Sequence, residues 1–214
     1  MRSKDHYRLE VRLSANAESV KQIYDASFFP SPRMEAAGDS EEVPRRWAVD
    51  LRVPLAKGCL LGLAAKEMAA VLAHHSVDQI AGAGYGAFLL VAGILTAGAG
   101  VNGGLIRESR KPYGFNRIVE GGLNAERPVF IVDDILSSGR SALRAAVLLR
   151  EEGFRPVGVL TVFRYGWKEG LERLLDAHLI AESLATLQRP TQGNTQVTDS
   201  NHSVARRRLD SHAD

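Results

Sequence analysis

The sequence predicts an α/β fold, a mostly parallel central sheet flanked by helices, on three observations. Strand-like and helix-like segments alternate from about residue 47 to 187. One of them, Val129, Phe130, Ile131 and Val132, is a run of four apolar residues, the pattern of a strand covered on both faces. Glycines close several segments, as at Gly82, Gly84 and Gly153.

Taken in order, Val20, Ile23 and Tyr24 lie at i, i+3 and i+4 and predict an amphipathic helix within residues 5–27. Residues 28–46 hold Pro30, Pro32, Pro44 and Gly38 with Asp39, Glu41 and Glu42, the composition of a loop or mobile arm. Residues 1–46 are therefore expected to form an N-terminal helix and arm, a small hood over the site. The core is expected over 47–187. It starts with a short strand over 48–51, followed by a helix from Leu60 to His74, whose alanines and leucines fall at helical spacing without proline. A strand over Val77–Ala81, a helix over Phe88–Ala97 and a strand at Leu105 and Ile106 follow, then a charged stretch from Arg107 to Arg117. After the strand at Val129 come a helix from Ser141 to Gly153, a buried strand from Pro156 to Phe163, a helix from Trp167 to His178 and a last short strand and turn over 179–187. Residues 188–214 turn polar and read as a disordered tail.

Composition excludes little but bounds the rest. The chain has 214 residues, 45% hydrophobic and 24% charged, which suits one globular core. Its 27 basic and 25 acidic residues give a net charge of +2, too balanced for binding to nucleic acid or anionic membrane by bulk charge. The run Arg206, Arg207 and Arg208 is a weak basic signal in a segment that reads as solvated. A single cysteine, Cys59, allows no internal disulfide and reads as a small buried hydrophobe. Met1 to Asp5 lead into no apolar stretch, and the most apolar region, Ile80 to Leu95, is shorter than the roughly 20 residues of a membrane helix. A cytoplasmic location is expected.

The strongest chemical signal follows the four apolar residues: Asp133 and Asp134, two spacer residues, then Ser137, Ser138, Gly139, Arg140 and Ser141 at a helix start. Ligands of open α/β sheets bind at the carboxyl ends of strands. Small residues at a helix N-terminus offer free backbone N–H groups and hydroxyls to a phosphate, and glycine lets the backbone come close. Two adjacent carboxylates repel each other, and a sugar diol with a divalent metal relieves that repulsion. The segment therefore asks for a ligand with phosphate, neighbouring hydroxyls and a divalent cation.

This 13-residue pattern resembles the 5-phosphoribosyl-1-pyrophosphate motif of the type I phosphoribosyltransferases. The resemblance implies that Asp133 and Asp134 hold the ribose hydroxyls and that Ser137, Ser138, Gly139, Arg140 and Ser141 hold the 5-phosphate. Over roughly 47–187 the chain is most similar to the orotate phosphoribosyltransferases. Residues 47–52 resemble the strand that opens that family's core. Residues 78–87, with Gly84, Tyr85 and Gly86, resemble its pyrophosphate loop. Arg107, Arg110, Lys111, Tyr113 and Gly114, followed by Val119, Glu120 and Gly121, resemble its mobile catalytic loop. Arg164 stands where the family has an arginine that meets the orotate carboxylate.

The resemblance implies a fold of the type I phosphoribosyltransferase kind and transfer of phosphoribose from 5-phosphoribosyl-1-pyrophosphate to a nitrogen base. Orotate is the first choice of base, giving orotidine 5-phosphate and pyrophosphate. Arg107 and Lys111 would stabilise the charge on the leaving group, with Arg110 and Arg117 as helpers. Mg²⁺ is the implied cofactor, held through the substrate with Asp133 and Asp134 as the protein carboxylates in reach. In the family the loop reaches into the neighbouring subunit's site, so a homodimer is implied.

The chain departs from the family pattern at three places. Glu108 stands where many members have a second loop lysine, Gly86 where many have a lysine, and the N-terminal Lys-Ser-Gly segment is missing, with Ser31, Pro32 and Arg33 in its region. These departures favour a second reading, a regulatory or effector protein that binds phosphoribosyl pyrophosphate or a nucleotide without turnover; a transferase for another base is a third. Gly82, Gly84 and Ala87 also fit the dinucleotide fingerprint, but residues 97–106 contain no acid to bind its ribose.

Overall fold

The computed structural model describes residues 8–30, 47–98, 100–107, 109–110 and 117–188. Strand β1 (Arg8–Val11) leads into helix α1 (Ala17–Ala26). Asn16 sets the start of α1, its side-chain oxygen accepting from the Ser19 N–H at 3.0 Å. Val20, Ile23 and Tyr24 are all buried, as the spacing predicts.

Two expectations change in the next segment. Residues 28–30, expected as loop, form β2 (Phe28–Pro30), which pairs antiparallel with β3 (Trp47–Val49). The strand expected over 48–51 ends at Val49 and lies in this separate two-stranded ribbon, outside the main sheet. The reason is local. The Asp50 carboxylate accepts from the Arg52 N–H at 2.9 Å and turns the chain into the short helix α2 (Arg52–Leu55).

The remaining elements are α3 (Gly58–His74), β4 (Gln79–Ala83), α4 (Tyr85–Thr96), β5 (Asn102–Ile106), β6 (Val119–Gly121), β7 (Pro128–Leu136), α5 (Arg140–Glu151), β8 (Arg155–Tyr165), α6 (Gly170–Asp176) and β9 (Ile180–Gln188), alternating as predicted except that the short strand β6, not expected from the sequence, stands between β5 and β7. The main sheet has seven strands in the order β1-β9-β8-β7-β4-β5-β6. Its five inner strands, β9, β8, β7, β4 and β5, run parallel, and the two edge strands, β1 and β6, are antiparallel to their neighbours.

Alternating residues of the parallel strands feed two cores. Ile80, Phe130, Val132 and Leu160 pack with α1, α3 and α4 on one face. Ala81, Val129, Ile131 and Val159 pack with α5 and α6 on the other. Three further expectations are corrected. Residues 179–187 were expected to give a short strand and turn; β9 is nine residues long and paired on both sides. β1 joins the main sheet against β9, and α1 belongs to the same core as α3, so residues 8–26 share the sheet and core of the rest of the chain. Cys59, expected to be buried, is exposed in the first turn of α3. Among the described residues no helix is long and apolar enough to cross a membrane.

Candidate active site at the switch point of the sheet

β4 and β7 are neighbours in the sheet, yet their connections leave in opposite directions. β4 runs through α4 to β5 on one side, and β7 through α5 to β8 on the other, with the two helices on opposite faces. Diverging loops leave a crevice at the carboxyl ends of such strands. A cleft of about 340 Å³ opens there. Its floor is Ala83 from β4 and Asp133, Asp134 and Ile135 from β7; one wall is Gly84, Tyr85 and Gly86 at the start of α4, and the other is Val49, Asp50, Leu51 and Arg52 from the ribbon and α2.

The two aspartates lie inside β7, not after it. β7 keeps its pairing with β8 as far as Leu136 opposite Arg164, so both carboxyls are mounted on sheet backbone. The Asp134 N–H donates to Asp133 Oδ1 at 2.9 Å, and the Ile135 N–H to Asp134 Oδ1 at 2.8 Å. Burial first, and then the neighbouring Asp134 charge, push the Asp133 carboxyl up to about 7. Asp134 is also raised, by burial and by the charge of Asp50. The Ser141 hydroxyl works the other way, as a hydrogen bond to Asp133 that favours its charged form.

Gly84 starts α4 with φ +88°, a conformation that glycine adopts without strain. Gly86 has no room for a side chain, because a Cβ there would lie 2.6 Å from Asp134 Oδ2. Tyr85 between them is 82% exposed at the cleft mouth. Ser137, Ser138, Gly139, Arg140 and Ser141 continue from β7 into the first turn of α5, with Gly139 at φ +76° as its N-cap. The structure therefore gathers Gly84, Tyr85, Gly86, Asp133 and Asp134 in one cleft and sets the Ser137–Ser141 turn directly beyond it.

Other sequence-predicted residues stand apart. Arg107 follows β5 and ion-pairs with Glu120 of β6 at 3.2 Å, along the sheet edge. Arg110 pairs with Glu152 at the end of α5. Arg164 Nε donates to Thr186 Oγ1 at 2.8 Å and contributes no lining to the cleft. Lys111, Tyr113, Glu108 and the run Arg206, Arg207 and Arg208 lie outside the described residues.

Sequence reasoning passed over Asp50 and Arg52 as chemistry. They form a two-pronged ion pair on the cleft wall, Arg52 Nε to Asp50 Oδ1 at 3.0 Å and Nη2 to Oδ2 at 2.7 Å. Arg52 holds the Asp50 carboxyl below its ordinary range. An acid and an arginine two residues apart just past a strand is the signal that was there to find. Three carboxylates and one guanidinium thus meet around the cleft. Among the described residues no three His, Cys, Asp or Glu side chains cluster to form a cage for a metal ion.

No family model matches the chain. It is 27% identical over 164 residues to the orotate phosphoribosyltransferase of Cytophaga hutchinsonii, covering 72% of this chain and 78% of that protein. It is 31% identical over 147 residues to the orotate phosphoribosyltransferase of Cutibacterium acnes, covering 64% of this chain and 68% of that one. The crystal structure of the Mycobacterium tuberculosis orotate phosphoribosyltransferase with Fe(III) dicitrate superposes with a TM-score of 0.69 at 24% identity, over 78% of this chain and 94% of that one. The same enzyme in complex with 5-phospho-alpha-D-ribosyl 1-diphosphate gives 0.63 at 22% identity, over 84% and 95%. Fold, cleft and sequence similarity agree, and the chain belongs to the orotate phosphoribosyltransferase family.

Proposed function

We propose that the protein transfers phosphoribose from 5-phosphoribosyl-1-pyrophosphate to a ring nitrogen of orotate, releasing pyrophosphate and forming orotidine 5-phosphate. The observation that carries this reading is the pair Asp133 and Asp134, fixed on β7 between the glycine turn of α4 and the Ser137–Ser141 turn of α5. Asp133 and Asp134 accept from the ribose hydroxyls. Backbone N–H groups of Ser138 to Ser141, at the positive end of α5, receive the 5-phosphate. The turn of Gly84, Tyr85 and Gly86 receives the pyrophosphate, and Arg107 and Lys111 act on the charge it gathers as it leaves, with Tyr113 in the same loop. Arg164 is assigned to the orotate carboxylate. No protein nucleophile is required.

The residues fit Mg²⁺. Burial and neighbouring carboxylates raise both carboxyls above their ordinary range, and a divalent cation with a diol would favour their charged forms. Asp133 and Asp134 would hold the ion jointly with oxygens of the substrate. When bound, it supplies neutralisation of the leaving pyrophosphate. The reading includes a cytoplasmic homodimer, with 47–187 as the catalytic core, residues 8–26 packed onto it and 188–214 as a tail. Gly86, which brings no cation to the pyrophosphate turn, favours a second reading, binding of the donor without turnover.

Steady-state release of pyrophosphate by the purified protein, with donor, Mg²⁺ and orotate, tests the proposal. The expected result is turnover that collapses in Lys111→Ala. Absence of turnover with donor binding that is lost in Asp133→Asn/Asp134→Asn supports the second reading. Absence of donor binding overturns both.

A further inference from the structure

The start of α6 packs against the Ser137–Ser141 turn. The two backbones touch with no side chain between them. A Cβ on Gly170 would sit 2.1 Å from the Ser137 carbonyl oxygen and 3.2 Å from the Gly139 nitrogen; a Cβ on Gly139 would sit 3.1 Å from the Gly170 carbonyl oxygen. α6 is held in place by Leu174, which is fully buried in the core beside Ala142 and Ala145 of α5. One turn into α6, Arg173 Nη1 donates to the Ser138 carbonyl oxygen. Its other terminal nitrogen, Nη2, donates to Glu169 Oε2 at 2.7 Å, which fixes the plane of the guanidinium.

The peptide joining Ser138 to Gly139 is trans, and a planar trans peptide points its N–H opposite to its C=O. With the Ser138 oxygen drawn to Arg173, the Gly139 N–H points to the side opposite the Arg173 guanidinium. Resting on the reading of this turn as the 5-phosphate cradle, we infer that Arg173, backed by Gly170 and Glu169, is a positioning residue for the donor's phosphate. It touches no substrate. It keeps one peptide from rotating, so that the Gly139 N–H faces the phosphate oxygens before the ligand arrives. The left-handed Gly139 makes that peptide the easiest in the turn to flip, because glycine tolerates both orientations.

Calorimetric titration of the full chain with ribose 5-phosphate and, separately, with pyrophosphate plus Mg²⁺ tests this. Ribose 5-phosphate occupies the cradle alone, and pyrophosphate the turn of Gly84 to Gly86. Arg173→Ala is expected to weaken ribose 5-phosphate by about tenfold, the loss of one well-placed donor to a charged group, while pyrophosphate affinity stays within about twofold. In turnover the same variant raises KM for the donor and leaves kcat nearly unchanged. Arg173→Lys keeps a donor and is expected to recover most of the affinity; if Arg173→Ala does not fold, Arg173→Met, which keeps the apolar stem and removes the donor, takes its place with the same expected loss. The inference is overturned if ribose 5-phosphate binds the variant without the donor as tightly as the wild type, or if both ligands weaken alike in that variant. Failure of the wild type to bind ribose 5-phosphate sinks the cradle reading itself, a separate outcome visible before any variant is made.

Discussion

Asp133 couples the site to pH. Its carboxyl is raised from 3.8 to about 7, so the folded protein holds a proton there that the unfolded chain has already released. That contribution to stability is complete below the unfolded pKa near 3.8 and is lost as pH rises towards 7. At about 1.4 kcal/mol per unit, the shift of roughly three units costs the ligand-free protein at most about 4 kcal/mol at pH 8. Asp133→Asn is expected to melt higher than the wild type at pH 8 and at nearly the same temperature at pH 4, read by calorimetry at both pH values. Equal melting shifts at the two pH values would refute the assignment. Gly86 makes a separate residue-scale prediction. In Gly86→Ala the new methyl must displace the Asp134 carboxylate. The fold should persist while donor affinity falls at least about tenfold, as a misplaced binding group would cause. An unchanged dissociation constant would show that Asp134 does not bind in the orientation seen.

Helices and strands here are tied together by charge as well as by packing. Glu182 on β9 accepts from His75 Nε2 at the end of α3, at 2.7 Å, and from Arg12 between β1 and α1. Burial raises this carboxyl, but the hydrogen bonds from Arg12 and His75 outweigh it and leave Glu182 below its ordinary range. A depressed carboxyl stabilises above its unfolded pKa, and that stability fades as pH falls through the lower folded value. Glu182→Gln is expected to cost about 1–3 kcal/mol at neutral pH, because Arg12 loses its charge partner and His75 its carboxylate in a half-buried place. The cost should shrink in acid, and denaturant unfolding at pH 7 and pH 3 measures it. The same tie explains why residues 8–26 belong to the main body. The sequence showed the helix at Val20, Ile23 and Tyr24, but β1 was invisible: four residues, Arg8 to Val11, half of them charged, become a strand only because the edge of β9 is there to pair with.

For the molecule as a whole, the segment containing Lys111, which by resemblance is the family's catalytic loop, raises the question of which subunit it serves. If it serves the neighbour, as the family resemblance implies, two inactive variants complement each other. Mixing unfolded and refolded Lys111→Ala and Asp133→Asn chains in equal amounts would make half of the dimers mixed, each with one complete site, and restore about a quarter of wild-type turnover. No recovery would mean that each loop serves its own subunit. The placement of the cleft is a property of this scale. It forms because β4 and β7 adjoin while α4 and α5 depart to opposite faces, a consequence of strand order that no single segment contains.

The sequence by itself determined the alternation of strands and helices over the core, the run of Val129 to Val132, and the ligand chemistry implied by Asp133, Asp134 and the small residues after them. These are local signals: side-chain periodicity, adjacent like charges and glycines that need a left-handed backbone are written into a few consecutive residues. Only the tertiary structure decided what depends on distant pairing. It extended β7 through both aspartates by pairing Asp133, Ile135 and Leu136 with β8, lengthened β9 between two partners, and moved the Trp47–Val49 strand into a ribbon beside the cleft. It also brought Asp50 towards Asp134, and Arg173 against Ser138, across 84 and 35 residues of chain respectively. Burial and through-space charge set the behaviour of those groups, and both depend on which segments meet, which spacing along a chain does not encode.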